Sequence, residues 1–174
     1  NVLVAFSGGK DSGVMLNLCY DYANEHGLLD KLTMYHLDYE AQYQMTTEYV
    51  TRTFLEQFPG IRKMWYCVPI KAQSACALGE PYWTPWDAAK KKLWVRAMPE
   101  NPYVVHEGNL DVPFRHGMVD YEFQDKLSRH FAKKRGTTAV MVGLRADESL
   151  NRYAAVARGK KRRSYEGRKW ITQT

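Results

Sequence analysis

This sequence contains few cysteines: three in 174 residues, and none of them stands in a C-x-x-C pair. We expect Cys19, Cys67 and Cys76 to be reduced thiols of a cytoplasmic protein, because disulfide frameworks and zinc sites favour paired, closely spaced cysteines. Long apolar runs are also missing. None reaches the roughly 20 residues that span a bilayer, and no signal peptide is visible. We therefore expect one domain with a sizeable core, not held in a membrane, and, since no Met begins it, a piece of a longer protein.

Acidic residues are scarce in one segment near the end of the sequence. Residues 158–169 carry seven Lys and Arg but only one acidic residue, Glu166, so this segment accounts for the net charge of +6 of the whole chain. Two interpretations stay open. The segment contacts phosphates, nucleic acid or an acidic protein partner, or it is a solvated loop. Its basic residues are Arg158, Lys160, Lys161, Arg162, Arg163, Arg168 and Lys169.

The most informative stretch stands at the start of the sequence. Residues 2–6 (V-L-V-A-F) are too few for a helix and favour a buried parallel strand. Residues 7–9 (S-G-G) interrupt this strand, and a helix begins near Asp11 and Ser12. A strand, a glycine turn and a helix start in this order favour an anion site, because free amides and the positive helix end point into the turn. A plain solvent-exposed turn is the alternative.

The spacing of this loop excludes two common nucleotide motifs. A Walker A loop needs Ser or Thr directly after its Lys, but Asp11 follows Lys10. A dinucleotide loop needs G-x-G-x-x-G, whereas the glycines here are Gly8, Gly9 and Gly13. The pattern that remains is S-G-G-x-D-S.

The apolar periodicity predicts an α/β domain with a parallel sheet and helices on both faces. Its long irregular stretch, residues 69–120, contains Trp83, Trp86 and Trp94. Either this stretch forms a lid or docking surface, or its tryptophans close the core. The predicted strands are 2–6, 31–38, 62–68, 103–106 and 137–144, and the predicted helices are 12–26, 45–58, 86–96 and 121–134.

A second polar run, residues 145–149 (R-A-D-E-S), follows the strand predicted at 137–144. The carboxyl ends of parallel strands meet at one sheet edge, where ligands bind in open α/β folds. Arg145 can contact phosphate in a bidentate manner, and the acidic residues suit a helix start. Caps and surface ion pairs are the alternative, but the pairing with the glycine loop favours nucleotide binding.

Three motifs together resemble the phosphoadenosine phosphosulfate (PAPS) reductase family of the PP-loop ATP pyrophosphatase superfamily. They are S-G-G-K-D-S-G-V-M-L, H-L-D at the end of the second strand, and G-L-R-A-D-E-S-L-N-R. The insertion W-T-P-W-D-A-A-K-K-K-L-W resembles that of the reductase-like branch. The resemblance implies an adenine-nucleotide α-hydrolase-like fold over residues 1–174, a three-layer α/β/α domain with a roughly five-stranded parallel sheet.

The resemblance also implies a site for an adenine nucleotide, ATP or PAPS, with Mg²⁺. Arg145 and Asp11 would be the catalytic residues, and Asp11 or Asp38 would help to hold the metal. Lys10 occupies the variable position of the loop motif. The nucleotide-binding positions are Ser7, Gly8, Gly9, Lys10, Asp11, Ser12, Leu37, Asp38, Gly143, Leu144 and Arg145.

The sequence departs from the true reductases at their catalytic cysteine. No E-C-G-x-H motif is present and no cysteine follows Cys76, so we expect neither reductase chemistry nor an iron–sulfur cluster. The expected activity is ATP pyrophosphatase or adenylyl transfer at the α-phosphate, linked to sulfur metabolism or nucleic-acid modification. Two alternatives stay open: a sulfonucleotide reductase with its cysteine beyond Thr174, and a nucleotide-binding regulator that binds DNA or a protein.

Overall fold

The structure is a computed structural model. It describes residues 1–74, 79–143, 145, 147, 150 and 153, and the backbone of residues 164–167 and 170–173. The basic residues of segment 158–169 lie outside the described residues; only the backbone of Ser164–Gly167 is described there, as a strand. None of the described helices is long and apolar enough to cross a membrane.

A sheet of seven strands forms the centre of the fold, in the order β6-β3-β2-β1-β7-β9-β8. Neighbouring strands are parallel except β8 and β9, which pair antiparallel at one edge. β4 and β5 form a separate antiparallel pair. The strands are β1 (Val2–Ala5), β2 (Leu32–Leu37), β3 (Arg62–Cys67), β4 (Ala72–Gln73), β5 (Tyr82–Trp83), β6 (Val104–His106), β7 (Ala139–Met141), β8 (Ser164–Gly167) and β9 (Trp170–Gln173).

Within residues 1–143, as far as the structure describes them, three α-helices cover the two faces of this sheet: α1 (Lys10–Glu25), α2 (Gln44–Glu56) and α3 (Asp120–Arg135). One apolar cluster joins α1 and α2 to the sheet, and a second cluster joins α3 to the opposite face. The predicted three-layer α/β/α fold is therefore confirmed. The five parallel strands β6-β3-β2-β1-β7 correspond to the predicted sheet, and the β8–β9 hairpin extends it.

The helix ends follow the charge and glycine signals of the sequence. α3 has Asp120 and Glu122 in its first turn and three basic residues in its last turn, which complements the helix dipole. Gly136 ends α3 with φ of 85°, and Gly27 follows α1 with φ of 65°. β2 is buried along its whole length, as expected for a central strand covered on both faces.

The helix predicted at residues 86–96 is wrong in type and length. A 3₁₀ helix spans Ala88–Leu93 instead, and Lys90 within it has non-helical backbone angles. The side chain of Asp87 caps it by accepting from the Ala89 amide. The segment stays short because Trp86 has φ of 55° and Trp94 has ψ of 134°, so neither residue continues the helix.

Candidate functional site

The glycine loop between β1 and α1 is fixed by close packing. Gly8 has φ of 82°, a conformation that L side chains rarely adopt, and a Cβ added there would lie 2.8 Å from Val50 Cγ2 of α2. The Ser7 and Ser12 hydroxyls lie 2.9 Å apart, and Ser12 Oγ donates to the Gly9 carbonyl. These bonds close the loop upon itself, so its shape is set before any ligand arrives.

The first turn of α1 presents free backbone donors at this loop. Gly9 is the N-cap, and it has no side chain to satisfy the helix amides. Among the described residues, no acceptor bonds the amides of Lys10, Asp11 or Ser12. Unpaired amides and the positive end of the helix dipole together attract anions.

The turn after β7 packs directly on this helix start. A Cβ added to Gly143 would lie 3.1 Å from the Ser12 amide nitrogen, so only a residue without a side chain fits without displacement. Arg145 Nη1 then lies 3.8 Å from Asp11 Oδ1, and Arg145 Nε donates to Asp147 Oδ1 at 3.0 Å. The structure therefore brings the two predicted catalytic residues, Asp11 and Arg145, together. Leu144 lies outside the described residues.

A cavity of about 270 Å³ opens beside the loop, on the α3 side of the sheet. It includes Ser7 and Ser12 of the loop, so the two form one continuous site. The Tyr35 hydroxyl donates to Gln124 of α3, and the Tyr39 hydroxyl donates to Asp120 at the start of the same helix. The lining residues are Ala5, Phe6, Ser7, Ser12, Tyr35, Leu37, Tyr39, Gln124, Val142 and Gly143.

Asp38 occupies a different position from the other predicted site residues. Its side chain is 0% exposed, and its carboxylate accepts from Trp65 Nε1 at 2.7 Å, from the Glu40 amide at 2.7 Å and from Arg96 Nη2 at 2.6 and 2.7 Å. All of this places Asp38 in a closed ion pair. The geometry therefore argues against Asp38 as a ligand of Mg²⁺, because a fully engaged carboxylate has no free oxygen face to offer.

The irregular stretch 69–120 is anchored to the residues that follow β2. Both carboxylate oxygens of Glu40 accept backbone amides of this stretch, from Trp86 and from Val95, at 2.8 Å. Arg96 Nε donates to the Glu40 carbonyl, and Trp86 Nε1 donates to the Asp38 carbonyl. Glu40 and Trp86 both have positive φ, which these reciprocal bonds hold in place.

The tryptophans of this stretch belong mainly to the core. Trp86 is buried in the cluster beneath α1 and α2, and Trp94 packs against it edge to face with ring centroids 5.1 Å apart. Trp83, in β5, is partly buried. Of the two open interpretations, closure of the core therefore describes Trp86 and Trp94.

The sequence analysis assigned no role to Glu40 and Arg96, which attach the irregular stretch to the residues after β2. Asp38 and Glu40 could have indicated such contacts, because acidic residues that follow a buried strand need a cation or hydrogen-bond donors nearby.

Residues 37–40 alternate between the cavity and the anchored stretch. Leu37 and Tyr39 line the cavity, whereas Asp38 and Glu40 hold Arg96 and the Trp86 and Val95 amides. Extended backbone at the end of β2 directs Leu37 and Asp38 to opposite sides. Glu40 instead lies in a bend with φ of 65°. The bonds of Asp38 and Glu40 therefore also fix the positions of Leu37 and Tyr39 in the cavity lining.

His36 is hydrogen-bonded to the residue that precedes the glycine loop. It is 1% exposed, and its Nδ1 lies 2.8 Å from the Phe6 carbonyl oxygen, one residue before the glycine loop. A carbonyl accepts, so Nδ1 carries the proton. Burial lowers the pKa of His36, which keeps the imidazole neutral.

The fold is an α/β domain with a parallel sheet, and the glycine turn from β1 to α1 lies at the sheet edge where such domains bind ligands. Within this class the chain belongs to the phosphoadenosine phosphosulfate reductase domain family, whose model matches residues 1–166. The resemblance inferred from the motifs is thereby confirmed.

One curated relative is the uncharacterized protein YbdN of Escherichia coli (strain K12). It is 32% identical over 173 residues, which cover 98% of this chain and 41% of YbdN. The chain thus spans less than half the length of that relative. No solved structure matches the chain.

Proposed function

We propose that this domain binds an adenine nucleotide and catalyses attack at its α-phosphate, with release of pyrophosphate. The observation that carries the proposal is the set of unpaired amides at Lys10, Asp11 and Ser12, directly beside a cavity lined by aromatic and aliphatic residues. The β- and γ-phosphates would occupy the loop from Ser7 to Ser12, and the adenosine would enter the cavity.

Asp11 is the residue that fits a magnesium ion. Its carboxylate is 30% exposed at the mouth of the loop, where Mg²⁺ would meet phosphate oxygens as well as one protein oxygen. This suits Mg²⁺, which usually takes one or two carboxylates plus substrate phosphates and waters. Among the described residues, no group of three or more His, Cys, Asp or Glu side chains could hold a metal by itself. The metal would supply charge neutralisation at the phosphates.

The other roles follow from charge and position. Arg145 is exposed and lies near Asp11, so it can approach the phosphates and offset the negative charge that grows during displacement. The loop amides fix the phosphates, and catalysis comes mainly from this positioning. The acceptor would be a group of sulfur metabolism or of a nucleic acid.

The first test is ATP binding by calorimetry with two variants. Gly9→Val should weaken binding at least tenfold, because a branched side chain would shield the loop amides, and Asp11→Ala should weaken binding that depends on Mg²⁺. Gly79→Val and Asp21→Ala are the matched controls: a Cβ at Gly79 meets nothing within 4 Å, and Asp21 is exposed further along α1. If ATP binds equally well to all four variants, the site is assigned wrongly.

The second test measures pyrophosphate release from ATP in the presence of candidate acceptors, which is the product that the proposed reaction would form.

Sulfonucleotide reduction is the second candidate function, because the matched family model carries that name. Burial raises the pKa of the Cys67 thiol, which makes it a poor nucleophile, so a reductase would need a cysteine other than Cys67. Tighter binding of PAPS than of ATP, with sulfite formed in the presence of a dithiol, would favour the reductase.

A further inference from the structure

The cavity is lined in part by Gln124, whose side-chain amide is oriented by a hydrogen bond. The Tyr35 hydroxyl of β2 donates to Gln124 Oε1 of α3 at 3.0 Å. Tyr35 is almost fully buried, and burial raises its pKa, so the hydroxyl keeps its proton and remains a donor. With one lone pair of its oxygen engaged by Tyr35, Gln124 keeps both amide hydrogens available to a ligand in the cavity that it lines.

The donor end of Gln124 has no acceptor of its own. In the part of the chain that the structure describes, Gln124 Nε2 makes no hydrogen bond, although Gln124 lines the cavity. The surrounding walls are Phe6, Leu37 and Val142, with Tyr39 fixed by Asp120. An oriented donor among largely apolar and aromatic walls, away from the Ser7 and Ser12 hydroxyls of the loop, suits a flat, ring-shaped ligand.

The size of the cavity limits what fits. Its volume of about 270 Å³ lies just below the range of about 300–1,000 Å³ typical of sites for whole ligands. One ring system fits here, while the phosphates of the same ligand would lie in the adjoining loop through Ser7 and Ser12.

We infer that Gln124 is the base-reading residue of the nucleotide site, and that its amide nitrogen donates to a ring nitrogen of adenine while Tyr35 holds its oxygen. This inference rests on the proposed function. It assigns Gln124 to specificity and not to the reaction itself.

A thermodynamic cycle tests the assignment: it combines substitution of Gln124 with removal of single ring nitrogens from ATP. ATP, 1-deaza-ATP, 3-deaza-ATP and 7-deaza-ATP each lack at most one ring nitrogen, and their affinities are measured by calorimetry with wild type, Gln124→Leu and Gln124→Ala. One analogue should bind wild type about fivefold more weakly than ATP does, the size of one ordinary hydrogen bond. With both variants, ATP and that analogue should bind equally, because the partner of the missing nitrogen is gone.

Tyr35→Phe supplies an independent readout. It keeps the ring in the core and removes only the hydroxyl that orients Gln124, so the discrimination against that analogue should shrink about two- to threefold while ATP still binds. Asp125→Asn is the matched control on α3; its side chain pairs with Arg129 and does not line the cavity, so the discrimination should stay at the wild-type value.

The outcomes separate the two proposals. If wild type binds ATP but shows the same analogue ratios as the folded Gln124 variants, the assignment of Gln124 is overturned and the site itself stands. If wild type binds no ATP, the proposed function fails and the base-reading role falls with it. Circular dichroism of each variant establishes folding, and Gln124→Leu, which fills a similar volume, covers the case in which Gln124→Ala does not fold.

Discussion

Gly8 is subject to two independent constraints, one on its backbone and one on the space beside it. Its φ of 82° lies in the left-handed region, and Val50 Cγ2 occupies the place where a Cβ would stand. Gly27 shares the first constraint only, with φ of 65° and nothing within 4 Å of a Cβ. Substitutions at the two glycines can therefore be compared to separate the cost of backbone strain from the cost of steric overlap.

Gly8→Ala should lower the free energy of unfolding more than Gly27→Ala does. The left-handed conformation costs roughly 1–2 kcal/mol at both positions, and overlap with Val50 adds about 1–3 kcal/mol at Gly8. Urea denaturation of both variants measures the difference. Equal losses would mean that α2 moves away from the loop without penalty.

The Asp38–Arg96 pair differs from the surface ion pairs of this chain by its burial. Arg96→Ala would leave the Asp38 carboxylate buried with Trp65 and the Glu40 amide but without a cation, so we expect a loss of about 3–5 kcal/mol in stability. Arg115→Ala, which breaks an exposed pair with Glu122, should cost less than about 1 kcal/mol. Chemical denaturation checks both values, and similar losses would contradict the assignment of Asp38 to a closed pair.

At the scale of elements, Glu40 joins the irregular stretch 69–120 to the sheet. Glu40→Gln keeps the shape but replaces one acceptor by a donor, so either the Trp86 or the Val95 amide loses its partner. We expect a loss of about 1–3 kcal/mol, typical of an unsatisfied buried donor. Hydrogen exchange should quicken at the amide that loses its acceptor, and Glu56→Gln, exposed at the end of α2, should leave both amides protected. Unchanged exchange in Glu40→Gln would show that other contacts hold this stretch.

The turn after β7 and the start of α1 are in direct contact at Gly143. An alanine there would place its Cβ 3.1 Å from the Ser12 amide nitrogen and 3.2 Å from the Asp11 carbonyl carbon. Gly143→Ala should therefore displace the first turn of α1 and weaken ATP binding about tenfold, with a smaller effect on stability. Calorimetry measures the affinity. Gly79→Ala, with open space around it, serves as the control, and equal ATP affinity in both variants would contradict the contact.

The regular elements were predictable because their signals are local. The buried run of β2 and the spacing of Phe123, Leu127 and Phe131 on α3 carry their own periodicity. The anchored stretch was not predictable, because its contacts are distant in sequence: Arg96 meets Asp38 across 58 residues and Tyr35 meets Gln124 across 89. The motif marked the glycine turn between β1 and α1, but no local pattern shows which side chains complete the cavity.

At the scale of the whole molecule, β2 carries different chemistry on its two faces. Tyr35 packs in the cluster under α3, and His36 contacts the aromatic rings of Phe54 and Trp65 on the opposite face. We therefore expect the stability of the sheet to depend on a neutral imidazole at its centre, which would make the fold sensitive to acid.

Stability should fall as the pH drops below 6.5, the ordinary pKa of histidine. Burial lowers the pKa of His36 in the folded chain, so between that lowered pKa and 6.5 the unfolded chain binds a proton that the native chain does not. The loss from this group approaches about 1.4 kcal/mol per pH unit. Denaturation at several pH values measures the slope.

His36→Asn should flatten this slope, since an amide does not titrate and its nitrogen can still donate to the Phe6 carbonyl. His26→Asn, at the exposed end of α1, should keep the slope of wild type. An unchanged slope in His36→Asn would assign the acid response to other groups.

The alternation at residues 37–40 constrains how this edge of the sheet can diverge between relatives. Deleting one residue between Leu37 and Glu40 would shift the residues after it, so Asp38 and Glu40 could no longer hold Arg96 and the Trp86 and Val95 amides at the same time. Single-residue insertions would do the same. We therefore expect this turn to tolerate neither a change in its number of residues nor the loss of the carboxylates at positions 38 and 40.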